Sequence, residues 1–283
     1  MPDEVTARSE RVLEGVTACS EVADRSTRAS AAVRIHDRGA ARAFFERDRP
    51  WAAWALCSLS PNDWPYSALW VDAATGAGLW IFDRPSIGGA VHTFGGGDGL
   101  DTLIRTVRMP RQAFVKAMPG ARAALAARYR FEWFDPIVRM AVTPGSFCPP
   151  GDPAPTESLD ARHGRELARL YAGWPESRFH VGRLWRDYWY EGIRMDGRLV
   201  AVAECGIRSA DEGVAVVQGV YVDPAWRGRG LARAATAALT ARLFRAGAHD
   251  VVLDVRAENE AARAAYERLG YRVHAHFLGG PGA

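Results

Sequence analysis

Gly219-Val220-Tyr221-Val222-Asp223-Pro224-Ala225-Trp226-Arg227-Gly228-Arg229-Gly230-Leu231-Ala232 is the stretch on which the reading of this chain turns. An apolar run, Val214 to Val222, leads into Asp223-Pro224. An Arg/Gly turn follows, then an alanine-rich segment, Leu231 to Ala246. That order predicts strand, tight turn, helix. Glycines in the turn let backbone approach a ligand closely. A helix that starts there presents free N–H groups and the positive end of its dipole. Such a site suits a phosphate or pyrophosphate, and Arg227 and Arg229 would add charge-assisted hydrogen bonds.

Working outward, the downstream segment carries a second ordered set: Asn259, Ala262, Tyr266, Leu269, Gly270 and Tyr271. Asn259 is placed to cap a helix that stops at Gly270. Tyr266 lies two helical turns further on, on the same face. The Arg227–Ala232 turn resembles the acyl-CoA signature of the GCN5-related N-acetyltransferases (the GNAT family), Gln/Arg-x-x-Gly-x-Gly/Ala. Arg227, Gly230 and Ala232 fill its defined positions. The Gln218–Tyr271 segment looks most like the glycine N-acyltransferase-like branch, and the resemblance covers roughly Leu159 to Phe277.

The resemblance implies an α/β (α+β) fold: a mixed, mostly antiparallel sheet flanked by helices. It also implies a cofactor, acetyl-CoA. Backbone of Val220, Tyr221 and Val222 would pair with the pantetheine arm. The N–H groups of Gly228, Arg229, Gly230, Leu231 and Ala232 would take the pyrophosphate, with Arg227. Asn259 and Ala262 match cofactor-contacting positions, and Asn259 serves equally as a helix cap. Tyr266 would sit near the sulfur and give a proton to the leaving thiolate, or pack as a buried aromatic. Many family members carry a glutamate eleven or twelve residues before the motif arginine; here those positions are Ala215 and Val216. Glu204 on the preceding strand is the substitute base, and Gln218 could orient a water or the amine.

Hydrophobic residues make up 48% of the 283 and charged residues 24%, which fits a soluble globular protein. A net charge of +3 supports no general nucleic-acid role. Lys116 is the single lysine. Cys19, Cys57, Cys148 and Cys205 form no C-x-x-C pair and no zinc-ligand spacing, so no metal is expected and a reduced, cytosolic (cytoplasmic) protein is the plain reading. Cys205 is a nucleophile on paper only. Met1 to Ser30 lacks an apolar core, so it reads as a flexible tail rather than a signal peptide or membrane anchor.

The proline-rich stretch 146–157 divides the expected domains: 31–145, a degenerate GNAT-like copy, and 158–283, the catalytic one. In the first half, Val33 to Ala53 reads as a helix. Strands are expected at Ala68–Val71, Gly78–Phe82, Ala90–Phe94 and Trp133–Val142, and helices at Leu100–Val107 and Arg111–Tyr129. Gly95 to Gly99 is glycine-rich without the arginine pattern and reads as a strand-to-helix loop. In the second half, helices are expected at Asp160–Tyr171, Val181–Glu191 and Leu231–Ala246, and strands at Arg198–Ile207, Val214–Val222, Val251–Val255 and Tyr271–Phe277. Trp174, Trp185, Tyr188, Trp189 and Tyr190 beside Arg178, His180 and Arg183 would wall an acceptor pocket or pack a core. Asn62 to Tyr66 is an unusual turn, structural or substrate-facing.

The expectation is an N-acetyltransferase acting on a small-molecule amine or amino acid by direct attack in a ternary complex, as monomer or homodimer, with no membrane partner. A protein or peptide N-acetyltransferase and a non-catalytic CoA sensor are the alternatives.

Overall fold

The computed structural model describes residues 31–85, 88–174 and 188–283. The chain divides into two compact units, neither of them one run of sequence. Unit 1 takes the described part of Met1–Arg47 with Ser58–Asp135 and Phe277–Ala283; unit 2 takes Asp48–Cys57 and Pro136–His276.

Unit 1 begins with β1 (Ala32–Ile35) and α1 (Arg38–Phe45); α2 (Arg49–Cys57) belongs to unit 2. The expected single helix over Val33–Ala53 is therefore a strand and two helices. Asp37 ends the strand: its backbone is extended and its carboxylate accepts the Ala40 N–H at 2.7 Å. Asp48 does the same for Trp51 N–H at 3.2 Å and opens α2. Next come β2 (Ser67–Asp72), β3 (Gly78–Arg84), β4 (Gly88–Phe94), α3 (Gly97–Thr106), β5 (Ala113–Ala117) and α4 (Arg122–Ala126). Strands β1 to β4 form an antiparallel meander and β4 pairs with β5 in parallel. The last residues of β12 (Arg272–Gly282) pair antiparallel with β5, Leu278 opposite Ala117. The helix expected at Arg111–Tyr129 is displaced by β5 and the short α4. Long-range pairing on both edges of β5 overrides a local helix preference there. Leu79, Val91, Leu103, Ile104 and Val115 build the core under α3.

In unit 2, β6 (Asp135–Val142) is followed by β7 (Glu157–Leu159), α5 (Gly164–Tyr171), β8 (Trp189–Met195), β9 (Arg198–Ser209) and β10 (Val214–Val222). Then come α6 (Leu231–Arg245), β11 (Asp250–Arg256) and α7 (Glu260–Glu267). Strands β7 to β10 run as an antiparallel meander, β10 pairs with β11 in parallel, and β11 pairs antiparallel with β6. This is the pairing pattern of unit 1 over again, and in each unit the last strand comes from the other half of the sequence. The proline-rich stretch does not separate the units, because β6 before it and β7 after it both lie in unit 2. Phe147 packs edge-on against Phe244 at 5.5 Å, and Cys148 N–H bonds Leu269 C=O at 3.0 Å.

The helix expected at Val181–Glu191 is corrected at its end, where Trp189–Glu191 open β8; its first residues, 181–187, lie outside the described ones. There β9 pairs Glu204 with Tyr190, and strand pairing decides the conformation. The tail expected at 1–30 also lies outside the described residues. Among the described residues no helix is long and apolar enough to cross a membrane.

One buried cation ties α2 to this sheet. Arg139 is fully buried on β6 and meets both oxygens of Asp254 at 2.8 Å. It also donates to the carbonyls of Trp51 at 2.7 Å and Pro50 at 3.1 Å, and stacks on the Trp51 ring. A buried guanidinium needs this full set of acceptors, since an unpaired buried charge costs several kcal/mol.

Candidate functional site

The site grows from β10. Its pairing with β11 runs from Val214 opposite Asp250 to Val217 opposite Leu253. Beyond that the two strands share no described pairing, although β10 continues to Val222 and β11 to Arg256. On the other edge, Gln218 faces Glu204, Tyr221 faces Val202 and Val222 faces Ala201, with register shifts on both sides of Gln218. Gly219 sits in this bulge at φ +54°, a left-handed conformation that a side chain resists. The backbone of Gln218–Val222 thus keeps one edge toward the gap left by β11. An edge of that kind can accept an extended ligand as an added strand.

The strand runs into the turn. Asp223 N–H bonds Val200 C=O at 2.8 Å, and its carboxylate accepts the Ala225 N–H at 2.9 Å, which starts one 3-10 turn at Pro224–Trp226. Gly228 and Gly230 then take φ of +77° and +74°, and Gly230 is the N-cap of the fifteen-residue α6. Among the described residues, nothing beyond the chain neighbours stands within 4 Å of where a Cβ would be at either glycine. With glycine at the cap, the first-turn N–H groups of Leu231, Ala232 and Arg233 have no side-chain cap among the described residues. The cradle fits a pyrophosphate. Arg227 lies back on the protein: its Nε donates to Val222 C=O at 3.2 Å and its guanidinium lies 5.8 Å from the Tyr221 ring centre. Arg229 stacks on Trp226 at 4.6 Å and is exposed beside the cradle.

At the far side of the gap, Asn259 caps α7 by accepting the Ala262 N–H at 3.1 Å. The cap reading of Asn259 therefore holds, and Ala262 packs on the core that includes Tyr266. Tyr266 is 7% exposed, with its ring 6.1 Å from that of Tyr271. Burial raises its phenol well above the usual value, so it keeps its proton at neutral pH.

Glu204 is 4% exposed. Its neighbours Ala203 and Cys205 face the core under α6, so alternation along β9 turns Glu204 to the other face, toward α5. There Tyr171, at the end of α5, donates to Gly219 C=O at 2.7 Å and lies 3.4 Å from Glu204 Oε2. The structure therefore brings Glu204, Gln218 and Gly219 together, and places Tyr266 in the cluster on the opposite face of the sheet. Tyr171 and Gly219 are the residues that sequence reading missed. The available signal was a tyrosine ending a helix and a glycine inside a strand.

The aromatic expectation is met in part. Trp174 stacks on Tyr221 at 5.5 Å between centres, and Tyr188 stacks on Tyr190. Trp189 is sandwiched by the guanidiniums of Arg242 and Arg208 at 4.2 and 4.3 Å, which is a packing role. Arg178, His180, Arg183 and Trp185 lie outside the described residues. Cys205 is fully buried and its thiol is pushed up to about 11 by that burial, so it is no nucleophile. Asn62–Tyr66 is held from within unit 1: Arg84 bonds Asp63 at 2.6 Å and covers the Tyr66 ring.

The glycine loop of unit 1 differs from that of unit 2. Gly95 and Gly97 are also left-handed and α3 also starts at a glycine cap, but Asp98 sits in its first turn. Thr75 and Asp72 fill the space beside Gly99. Carboxylates at a helix start take the place an anion would use.

Residues 156–271 match the model of the acetyltransferase (GNAT) family, which is under half of the chain. No curated protein matches. Among solved structures, the chain resembles a Drosophila protein at 14% identity and a TM-score of 0.60, covering 98% of this chain and 95% of that one. It also resembles a GCN5-related N-acetyltransferase from Sphaerobacter thermophilus at 18% identity and a TM-score of 0.52, over 91% and 96% of the two chains. A GCN5-related N-acetyltransferase from Kribbella flavida matches at 22% identity and a TM-score of 0.50, over 73% and 86%. Likenesses this distant concern the fold, and the fold is the mixed α/β GNAT-like one, a mostly antiparallel sheet flanked by helices.

Proposed function

We propose that this protein transfers an acetyl group from acetyl-CoA to the primary amine of a small molecule or amino acid. The observation that carries the reading is the departure of β10 from β11 after Val217, which opens a strand edge leading straight to the uncapped start of α6. A long ligand with a peptide-like arm and a pyrophosphate suits that path. The family match over 156–271 supports an acyl-CoA as that ligand. The preference for a small acceptor rests on the sequence resemblance to the glycine N-acyltransferase-like branch.

Val220, Tyr221 and Val222 would hold the arm by main-chain hydrogen bonds. Gly228 to Ala232 would hold the pyrophosphate, with Arg229 beside it and Arg227 able to swing from Tyr221. Acetyl-CoA, when bound, supplies the acyl group as a thioester with a thiolate leaving group. Glu204 would take a proton from the acceptor's ammonium, through a water where needed, leaving the neutral amine to attack the thioester carbonyl, and Gln218 would orient that water. Tyr266 keeps its phenolic proton because it is buried, and its O–H is the donor to the departing sulfur. Two groups with opposite tasks then sit on opposite faces of the sheet.

Calorimetric titration with acetyl-CoA, followed by thiol release against a panel of amines and amino acids, tests the reading. Saturable binding with amine-dependent thiol release is expected. Binding without release from any amine would favour a CoA sensor, for which the apolar Ala215 and Val216 already speak.

A further inference from the structure

The end of α5 and the bulge of β10 are locked by two crossed bonds. Tyr171 of α5 donates to Gly219 C=O of β10 at 2.7 Å. Tyr221 of β10 donates to Gly173 C=O, just past α5, also at 2.7 Å. Each segment contributes one phenol and one carbonyl. Both glycines are shaped to the contact. A Cβ on Gly173 would lie 2.8 Å from the Tyr221 hydroxyl oxygen, and one on Gly219 would lie 2.5 Å from the Glu204 Cδ. Trp174 closes the clasp by stacking on Tyr221 at an angle of 7° between ring planes.

Glu204 lies in the middle of this arrangement. Its carboxylate rests in the notch left by the missing side chain of Gly219, and Oε2 is 3.4 Å from the Tyr171 oxygen. Among the described residues, the groups that face it include Tyr171 from α5, Tyr190 opposite it on β8, and Gln218 opposite it on β10. We propose that Tyr171 is a positioning residue: its hydroxyl holds the Gly219 carbonyl and the Glu204 carboxylate in one place, so the base stays against the bulge of the donor-binding strand. This rests on the acetyl-transfer reading above. Tyr171 touches no reacting atom. Its single proton is shared between two acceptors, Gly219 C=O at 2.7 Å and the Glu204 carboxylate at 3.4 Å, so one hydroxyl bears on both.

The experiment uses the full chain and the variants Tyr171→Phe and Glu204→Gln. The carboxyl carbons of glutamate are labelled with carbon-13, and Glu204→Gln identifies the Glu204 signal. Tyr171→Phe removes a hydrogen-bond donor that favours the ionised form of a carboxyl, so the Glu204 titration midpoint is expected to rise by about half a pH unit or more. An unmoved midpoint overturns the proposal, with or without turnover. Thiol release then reads the same variant kinetically. Tyr171→Phe lowers kcat by about tenfold or more, displaces the acid limb of the pH profile and leaves acetyl-CoA affinity within about twofold. Equal loss of affinity and kcat would mean a merely structural tyrosine. A wild-type protein that releases no thiol defeats the acetyl-transfer reading instead, and the carboxyl titration still decides the role of Tyr171.

Discussion

Gly219 and Glu204 compete for one volume. The backbone of Gly219 is left-handed at φ +54°, and an added Cβ would stand 2.5 Å from both Cγ and Cδ of Glu204. Gly219→Ala must displace the carboxylate and strain the bulge together. The expected cost is about 1–3 kcal/mol of stability, read by chemical denaturation. Turnover is expected to fall further than stability alone explains, because the proposed base, Glu204, has moved. A variant with wild-type stability and turnover would remove Glu204 from the mechanism.

Tyr266 and Tyr271 are both buried, and burial raises both phenols well above the usual value; Tyr129 rises to about 12 for the same reason, set against the nearby Arg128. The folded state therefore holds protons that the unfolded chain releases near pH 10. Their contribution to stability is complete below that pH and is lost as pH climbs through the folded values. Ultraviolet titration should leave Tyr129, Tyr266 and Tyr271 un-ionised at about pH 11 in the folded protein. Early ionisation of all three would contradict the burial of Tyr266. Tyr266→Phe removes the proposed donor and is expected to lower kcat roughly a hundredfold while acetyl-CoA still binds.

Arg139 offers a test of how α2 is held. Arg139→Met leaves Asp254 and the carbonyls of Pro50 and Trp51 without their donor. Destabilisation of about 3–5 kcal/mol is expected in denaturant titration. A loss below about 1 kcal/mol would show that the apolar packing of Trp51 holds the helix by itself.

Lys116 is the only lysine and is 3% exposed, with its ammonium near the rings of Phe114 and Phe277. Amine-reactive labelling of the native protein should stop at the chain terminus. Peptide mapping should find Lys116 modified only after denaturation. Rapid labelling under native conditions would contradict the described packing of β5.

The Arg227–Ala232 turn was readable because its chemistry is local. Two glycines must be left-handed there, and a long alanine-rich helix must start there. Strands β9, β10 and β11 were readable for the same reason, as apolar runs bounded by turns. What sequence could not show depends on distant partners. The helix expected over Arg111–Tyr129 gave way because β5 is paired on both sides by strands far away in sequence. The compact units do not divide at 146–157, because β6 and β12 each complete a sheet begun elsewhere in the chain. Sequence offers Glu204 as a candidate base by elimination, but Tyr171, which it meets, lies 33 residues earlier on another element, and no spacing rule links them.

The most direct test of the central claim is calorimetric titration of acetyl-CoA into the wild-type protein and into Gly230→Val, with circular dichroism confirming the fold of both. A β-branched residue at φ +74° distorts the start of α6 and fills the cradle. Saturable one-to-one binding by the wild type, weakened about tenfold or more in the variant, is the predicted result. No binding by the wild type, or equal binding by a folded variant, would contradict the account.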